Sequence, residues 1–186
     1  MTDTTPQLDT ASPPAWLPAL LPYQGDWDVF LLALYKVFSL DFKSGTLRFQ
    51  GRPVWYDRRI DAADSHRYEE GFWHLVTRED RVWNPKLRRQ EKQRLPDIER
   101  ARHLPWGRPA IEHENEPEIV VWNFDEETRK GKLVRTYLWL KRWDYAVVLE
   151  RQGKAGGDIF MLITAFSVDI QAKRTDLESR YNRRIK

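Results

Sequence analysis

The sequence contains no cysteine among its 186 residues. This absence excludes disulfide bonds, thiolate zinc sites and thiol nucleophiles. No apolar run approaches the roughly 20 residues that a membrane-spanning helix needs. The first residues also lack the basic start and apolar block of a signal peptide. We therefore expect a soluble, cytoplasmic protein without a membrane partner.

Signature motifs of several large enzyme classes are also missing. The chain has no Walker loop, no Rossmann glycine fingerprint, no HExxH and no GxSxG. The four histidines, at positions 66, 74, 103 and 113, show no clear metal-ligand spacing. Glu112, Glu114 and Glu116 could hold a metal beside His113, but acidic connections of this kind are more often solvated. We therefore expect no cofactor and no metal. A metal-dependent nuclease that uses these glutamates is the weakest of three hypotheses for the function of the protein.

Charge is distributed unevenly along a chain whose formal net charge is only +3. Residues 78–108 carry ten Lys and Arg against five Asp and Glu, and residues 171–186 carry six against two. Residues 112–127 carry seven acidic side chains and no Lys or Arg. Segregated basic blocks indicate a polyanionic partner such as RNA, although charge runs are often only solvated faces.

The hydrophobic pattern predicts an α+β fold in which N-terminal helices precede a four-stranded antiparallel sheet and a C-terminal helix. Residues 1–22 hold five prolines and are predicted to form a flexible arm, with a single domain over 23–186. The predicted helices cover 26–41, with Asp26 as the N-cap, then 95–103 and 176–186. Strand-like fragments are expected over 42–77, including a turn at 50–53, and an acidic connection over 110–117. The four strands are predicted near 118–124, 133–140, 144–150 and 158–166.

One set of side chains suits phosphodiester cleavage in RNA, which needs a proton acceptor, a proton donor and cations for the phosphorane. Because the 2′-hydroxyl of RNA is the nucleophile, neither a cysteine nor a metal is required. Each member of the set also has a structural alternative: Arg100 could pair with Glu99, Thr164 could bond a neighbouring carbonyl, and Tyr181 could simply pack. The set comprises His74, Arg78, Glu99, Arg100, Arg102, Thr164 and Tyr181.

A family resemblance adds to this interpretation. The order FWHLVTR, ERARHLPWGRPAIE, YLWL, YAVVLE and MLITAF, followed by a basic helix, resembles the phage-associated branch of the barnase–EndoU–colicin–RelE superfamily. These are small metal-independent RNases, many of them toxins, with one or two helices before a four-stranded antiparallel sheet. The resemblance covers roughly residues 46–184. Phe166 departs from it, because related sequences have a tyrosine there.

The resemblance implies a role for several residues. It matches His74 to the family histidine, Arg100 to the arginine of the helical segment and Thr164 to the hydroxyl of the last strand, with Arg78 and Tyr181 fitting more loosely. We predict a metal-independent endoribonuclease with His74 as general acid or base and Tyr181 pointing towards it. Further phosphate-binding candidates are Arg102, Arg180, Arg183 and Arg184.

The resemblance also implies partners and an alternative function. RNA is the expected partner, with tRNA among the candidates, and an antitoxin or immunity protein is a further one. Since some members of the superfamily have lost activity, the second hypothesis is a non-catalytic nucleic-acid-binding or regulatory domain on the same scaffold.

Overall fold

A mixed six-stranded sheet in the order β1-β2-β8-β7-β6-β5 forms the centre of the α+β fold. The computed structural model describes residues 12–86, 88–128 and 131–186. The strands are β1 (Arg48–Phe49), β2 (Arg52–Tyr56), β3 (Thr77–Asn84), β4 (Arg89–Pro96), β5 (Val120–Thr128), β6 (Gly131–Leu140), β7 (Tyr145–Gln152) and β8 (Ile159–Ser167). The helices are α1 (Trp27–Phe42), α2 (Glu70–Val76), α3 (Ile98–Arg102), α4 (Gly107–Glu112) and α5 (Gln171–Asn182).

The antiparallel run β5-β6-β7-β8 confirms the pairing expected for the four predicted strands. The predicted number of strands is wrong, because β1 and β2 extend the sheet beyond β8. Strand β2 pairs with β8 in parallel, with Val54 opposite Phe160 and Tyr56 opposite Leu162. This contact joins positions far apart in the sequence, which alternation within one short segment does not reveal.

Helix α1 agrees with the prediction. The side chain of Asp26 accepts hydrogen bonds from the backbone N–H groups of Asp28 (2.9 Å) and Val29 (3.1 Å), as an N-cap should. The apolar positions at helical spacing then fall on one buried face. The residues of this face are Phe30, Leu31, Leu34, Phe38 and Phe42.

The segment between α1 and β5 differs from the prediction in three places. Residues 70–76 form helix α2 rather than a strand-like fragment, and residues 77–96 form a separate two-stranded hairpin of β3 and β4. Residues 107–112, expected to lie in a break and an acidic connection, form helix α4 after a 3-10 turn at Leu104–Trp106. Proline needs no N–H in the first turn of a helix, so Pro105 and Pro109 start these turns instead of breaking them.

Two clusters of buried side chains lie on opposite faces of the sheet. The first cluster is covered by α1 to α4 and includes Leu138, Leu149 and Leu162. The second cluster includes Tyr137, Val148 and Leu177 of α5. Helix α5 begins at Gln171, earlier than predicted, and packs on β5.

The N-terminal segment that is described lies against the first cluster. Leu17 is buried, the indole N–H of Trp106 donates to the Pro18 carbonyl at 2.8 Å, and the ring of Trp16 stacks on that of His113. Of the predicted arm, residues 12–22 are therefore packed on the body, and residues 1–11 lie outside the described residues. Among the described helices, none combines the length and apolarity needed to cross a membrane.

Candidate functional site

Helix α2 has only seven residues and runs directly into strand β3 without a terminal glycine. The last carbonyl groups of a helix have no partner within it, so they need donors from elsewhere. Here the Trp73 carbonyl accepts from the N–H and the hydroxyl of Thr77, and the Val76 carbonyl accepts from the Asp97 N–H at 3.2 Å. The carbonyl of His74 instead accepts hydrogen bonds from side chains of other elements.

Arg100 and Thr164 supply those side chains. Arg100 Nη1 donates to the carbonyls of His74 (3.1 Å) and Thr77 (2.9 Å), and Thr164 Oγ1 donates to the same His74 carbonyl (3.1 Å). A positive charge at this end also suits the helix dipole. Three residues chosen from the sequence are thus brought together, but through the main chain of His74.

This geometry changes two predicted roles. The Arg100 guanidinium is largely buried, with its Nε 3.6 Å from Asp97 Oδ2, and it points at main-chain oxygens rather than at open space. The Thr164 hydroxyl makes the carbonyl bond that was its structural alternative. Both residues therefore have a structural use, since their hydrogen bonds hold α2 in place.

The ring of His74 has charged neighbours on two sides. Its Nε2 lies 3.9 Å from Glu70 Oε2, one turn earlier on α2, and Arg94 of β4 forms an ion pair with the same carboxylate. Burial lowers the pKa of His74, and the charge of Arg94 lowers it further, against the opposing effect of Glu70, Glu79 and Asp57. The neutral imidazole, a proton acceptor, is therefore favoured at pH 7.

His74 lines an open cleft of about 900 Å³. The cleft lies beyond the end of β2, and α2, β3, β7 and β8 also contribute to its lining. A β-bulge between Val148 and Leu149 of β7 and the facing part of β8 adjoins it, as bulges often do at sites. The remaining lining residues are Trp55, Tyr56, Asp57, Arg58, Arg59, Glu79, Glu150, Gln152, Met161, Leu162, Ile163 and Thr164.

One wall of the cleft combines an exposed aromatic ring with a cation. Trp55 is 44% exposed, and the Arg58 guanidinium lies 6.0 Å from its ring centroid and 5.6 Å from that of Tyr56. Two carboxylates of the cleft are balanced by arginines: Arg59 binds Asp57 and Arg135 lies 3.2 Å from Glu150. Arg58 therefore stands out as a cation able to receive an anion beside a stacking surface.

Sequence reasoning missed Trp55 and Arg58. The signal was present, since an aromatic pair followed directly by Asp57 and two arginines is an unusual end for a strand. What was lacking was the parallel pairing of β2 with β8, which carries Trp55 to the same face as Met161. Without that pairing nothing connects residue 55 with His74.

The predicted residues of the C-terminal helix lie elsewhere. The ring of Tyr181 is in edge contact with Trp122 of β5, three strands away from β8, so Tyr181 does not reach His74. Arg180 is held by Asp176, Glu126 and the Tyr137 hydroxyl. Arg183 lies over Phe124, and Arg184 lies over Tyr181. Arg180 and Arg183 thus contact the sheet side chains beside α5, whereas the Arg184 contacts are with its own helix.

Two further predicted phosphate ligands are also outside the cleft. Arg78 is exposed on β3, opposite Leu95. Arg102 binds the Leu21 carbonyl and lies 3.2 Å from Glu99, which secures the N-terminal segment. The structural pairing expected for Glu99 thus involves Arg102 rather than Arg100.

The acidic segment does not form the metal site considered as an alternative. Glu112 pairs with Arg108 at 2.8 Å, and Glu114 accepts from the backbone N–H of Gln50 at 3.0 Å. Within residues 12–86, 88–128 and 131–186, no group of three or more His, Asp or Glu side chains is placed to hold a metal ion.

Comparisons with protein families, with curated proteins and with solved structures found no match to this chain.

Proposed function

We propose that the protein is a metal-independent endoribonuclease whose active site is the cleft beside α2. The observation that carries the proposal is His74 itself: a half-buried imidazole whose neutral form is favoured, facing a cleft in which the Arg58 guanidinium lies over the exposed ring of Trp55. The sequence resemblance to the barnase–EndoU–colicin–RelE superfamily supports the same class. A role as a growth-inhibiting or phage-associated toxin is part of the proposal.

The proposed reaction uses the substrate's own nucleophile. His74 accepts the proton of a ribose 2′-hydroxyl, the 2′-oxygen bonds to phosphorus, and the bond from phosphorus to the 5′-oxygen breaks. The departing 5′-oxygen takes a proton from water, and the imidazolium returns its proton to solvent. The products are a 2′,3′-cyclic phosphate and a 5′-hydroxyl.

The cations and rings of the cleft have distinct proposed roles. Arg58 would bind the non-bridging phosphate oxygens, whose charge increases in the transition state. Trp55 would stack on a base next to the scissile bond, since stacking on aromatic rings holds unpaired bases of any sequence. Arg100 and Thr164 would act through α2, keeping the imidazole aimed into the cleft.

A cleavage assay with labelled RNA in the presence of EDTA tests this proposal. We expect cyclic-phosphate and 5′-hydroxyl ends, and a loss of 10²-fold or more in rate for His74→Ala, the usual contribution of a positioned proton-transfer group. His66→Ala is the matched control, because the two imidazoles are equally exposed, at 42%, and His66 is not part of the cleft lining. Cleavage that requires a divalent ion, 3′-hydroxyl products, or full activity of His74→Ala would each overturn the proposal.

A further inference from the structure

The hairpin of β3 and β4 lies outside the main sheet. Its strands pair with each other over eight positions, from Thr77 opposite Pro96 to Asn84 opposite Arg89, and form a sheet of their own. Nearly all of β3 is exposed, including Val82 at 42% and Trp83 at 55%. An isolated two-stranded hairpin gains little stability by itself, so large exposed apolar side chains near its tip call for another explanation.

The hairpin is fixed to the candidate site at its base. Arg94 pairs with Glu70, the carboxylate that also lies beside the His74 ring, and Glu79 opposite Arg94 lines the cleft. Successive side chains of a strand alternate between faces, so Glu79, Arg81 and Trp83 share one face of the hairpin. That face therefore leads away from the cleft, with Trp83 as its outermost large side chain.

The distance along this face suits a nucleic-acid strand. From Glu79 to Trp83 the strand advances about 13 Å at roughly 3.3 Å per residue. That span corresponds to about four nucleotides at the stacked rise of 3.4 Å per nucleotide, and to fewer in an extended strand. A strand with its scissile phosphate at His74 would place a base several nucleotides away beside the Trp83 ring.

The charge of the hairpin points to the same ligand. Residues 77–96 carry seven Lys and Arg against three Asp and Glu. Cations beside an exposed indole are the combination that binds single strands: the cations neutralise phosphates, and the ring stacks on an unpaired base. A duplex cannot use the ring in this way, because its bases are already stacked and paired.

We infer that the β3–β4 hairpin is a binding arm for single-stranded RNA, with Trp83 as a stacking platform that directs the strand into the His74 cleft. The inference rests on the proposed function, since the scissile phosphate is placed at His74. It defines the substrate class as unpaired RNA with several nucleotides to one side of the cleaved bond.

Binding can be measured without cleavage by using a short fluorescent 2′-O-methyl RNA, which lacks the nucleophile, with the full-length protein. We expect Trp83→Ala to weaken binding of the single strand roughly 5- to 150-fold, which is the effect of losing one stacked base. Trp83→Phe should retain most of the affinity. Val82→Ala is the matched control, because Val82 is the adjacent exposed residue on the other face of the hairpin. The same sequence as a duplex should bind more weakly, and Trp83→Ala should leave the affinity for the duplex unchanged.

The outcomes separate this inference from the proposed function. If Trp83→Ala binds the single strand as tightly as the wild type, or Val82→Ala weakens binding equally, the stacking platform is wrong even if the protein cleaves RNA. If Trp83→Ala loses binding while the wild type cleaves no RNA, the arm stands and the nuclease proposal fails. Unchanged circular dichroism and thermal unfolding of the Trp83 variants would show that the arm, and not the fold, is affected.

Discussion

Removing the two donors to the His74 carbonyl should destabilise the protein in a cooperative way. Arg100→Met removes hydrogen bonds to the carbonyls of His74 and Thr77, while its side chain fills a similar volume. Bonds from charged donors contribute roughly 1.5–3 kcal/mol each. Part of this is offset, because burial lowers the pKa of Arg100 and so disfavours its charge. We expect a net loss of about 2–4 kcal/mol in the free energy of unfolding.

Thr164→Val should cost less, about 1 kcal/mol, because it removes one neutral hydrogen bond and preserves the shape of the side chain. Each single variant leaves one donor to the His74 carbonyl. In the double variant both are gone, and an unsatisfied buried carbonyl costs roughly 1–3 kcal/mol. The double variant should therefore lose more stability than the two single losses added together, by about 1 kcal/mol.

Urea unfolding at constant m-value measures these losses, and a thermal shift of about 2–4 °C per kcal/mol accompanies them in a chain of this length. Thr175→Val serves as the matched control, since Thr175 is an exposed position on α5. Additivity of the two losses within about 0.5 kcal/mol would refute the shared-carbonyl explanation. So would an Arg100→Met variant as stable as the wild type.

Three further predictions follow from the charges and the packing of α5. The acidic limb of the pH profile of kcat/KM should lie below pH 6.5, the ordinary pKa of histidine, because burial and the charge of Arg94 lower the pKa of His74. In the same profile, Arg94→Met should move that limb to higher pH and Glu70→Gln should move it to lower pH. Burial raises the pKa of Glu69, but hydrogen bonds from Lys43 and Tyr35 outweigh this effect and hold the pKa below its usual value. The ionised Glu69 therefore contributes its full stabilisation of the fold above the ordinary pKa of about 4.3. This contribution is lost as the pH falls through the lower pKa that Glu69 has in the folded protein. Glu69→Gln should therefore lower stability at pH 7 and flatten acid unfolding, and equal pH dependence in both proteins would contradict this. Tyr181→Phe should leave cleavage unchanged, whereas Leu177→Ala, which empties a buried position on α5, should cost about 2–5 kcal/mol in urea unfolding.

The fold was predictable where the signal is local. Asp26 with the helical spacing after it predicts α1, and consecutive strands with short connections predict the antiparallel order of β5 to β8. The parallel pairing of β2 with β8 joins segments about a hundred residues apart, so no local pattern contains it. Helix α2 was missed because its apolar run is too short for periodicity to separate helix from strand.

The candidate site was predictable in some of its positions, but the contacts of those residues were not predictable. His74, Arg100 and Thr164 do converge, yet residue types cannot tell whether an arginine meets a phosphate or a main-chain oxygen. Tyr181 was misplaced for a related reason. A helix that follows β8 after a few residues must start near the end of β8, but its direction across the sheet decides what its far end touches, and here that is Trp122.

The way α2 ends explains why Arg100 donates its hydrogen bonds to main-chain carbonyls. A helix that ends at glycine can turn its own chain back to satisfy its last carbonyls, but α2 passes through Thr77 straight into the extended strand β3. Its carbonyls must then recruit donors from α3 and β8, and a buried arginine, with its fork of donors, can reach two carbonyls at once. Arg58, by contrast, lies at the cleft over the exposed ring of Trp55 and the buried ring of Tyr56. Burial against main-chain oxygens thus marks Arg100 as structural, whereas exposure at the cleft makes Arg58 the better candidate for an incoming phosphate.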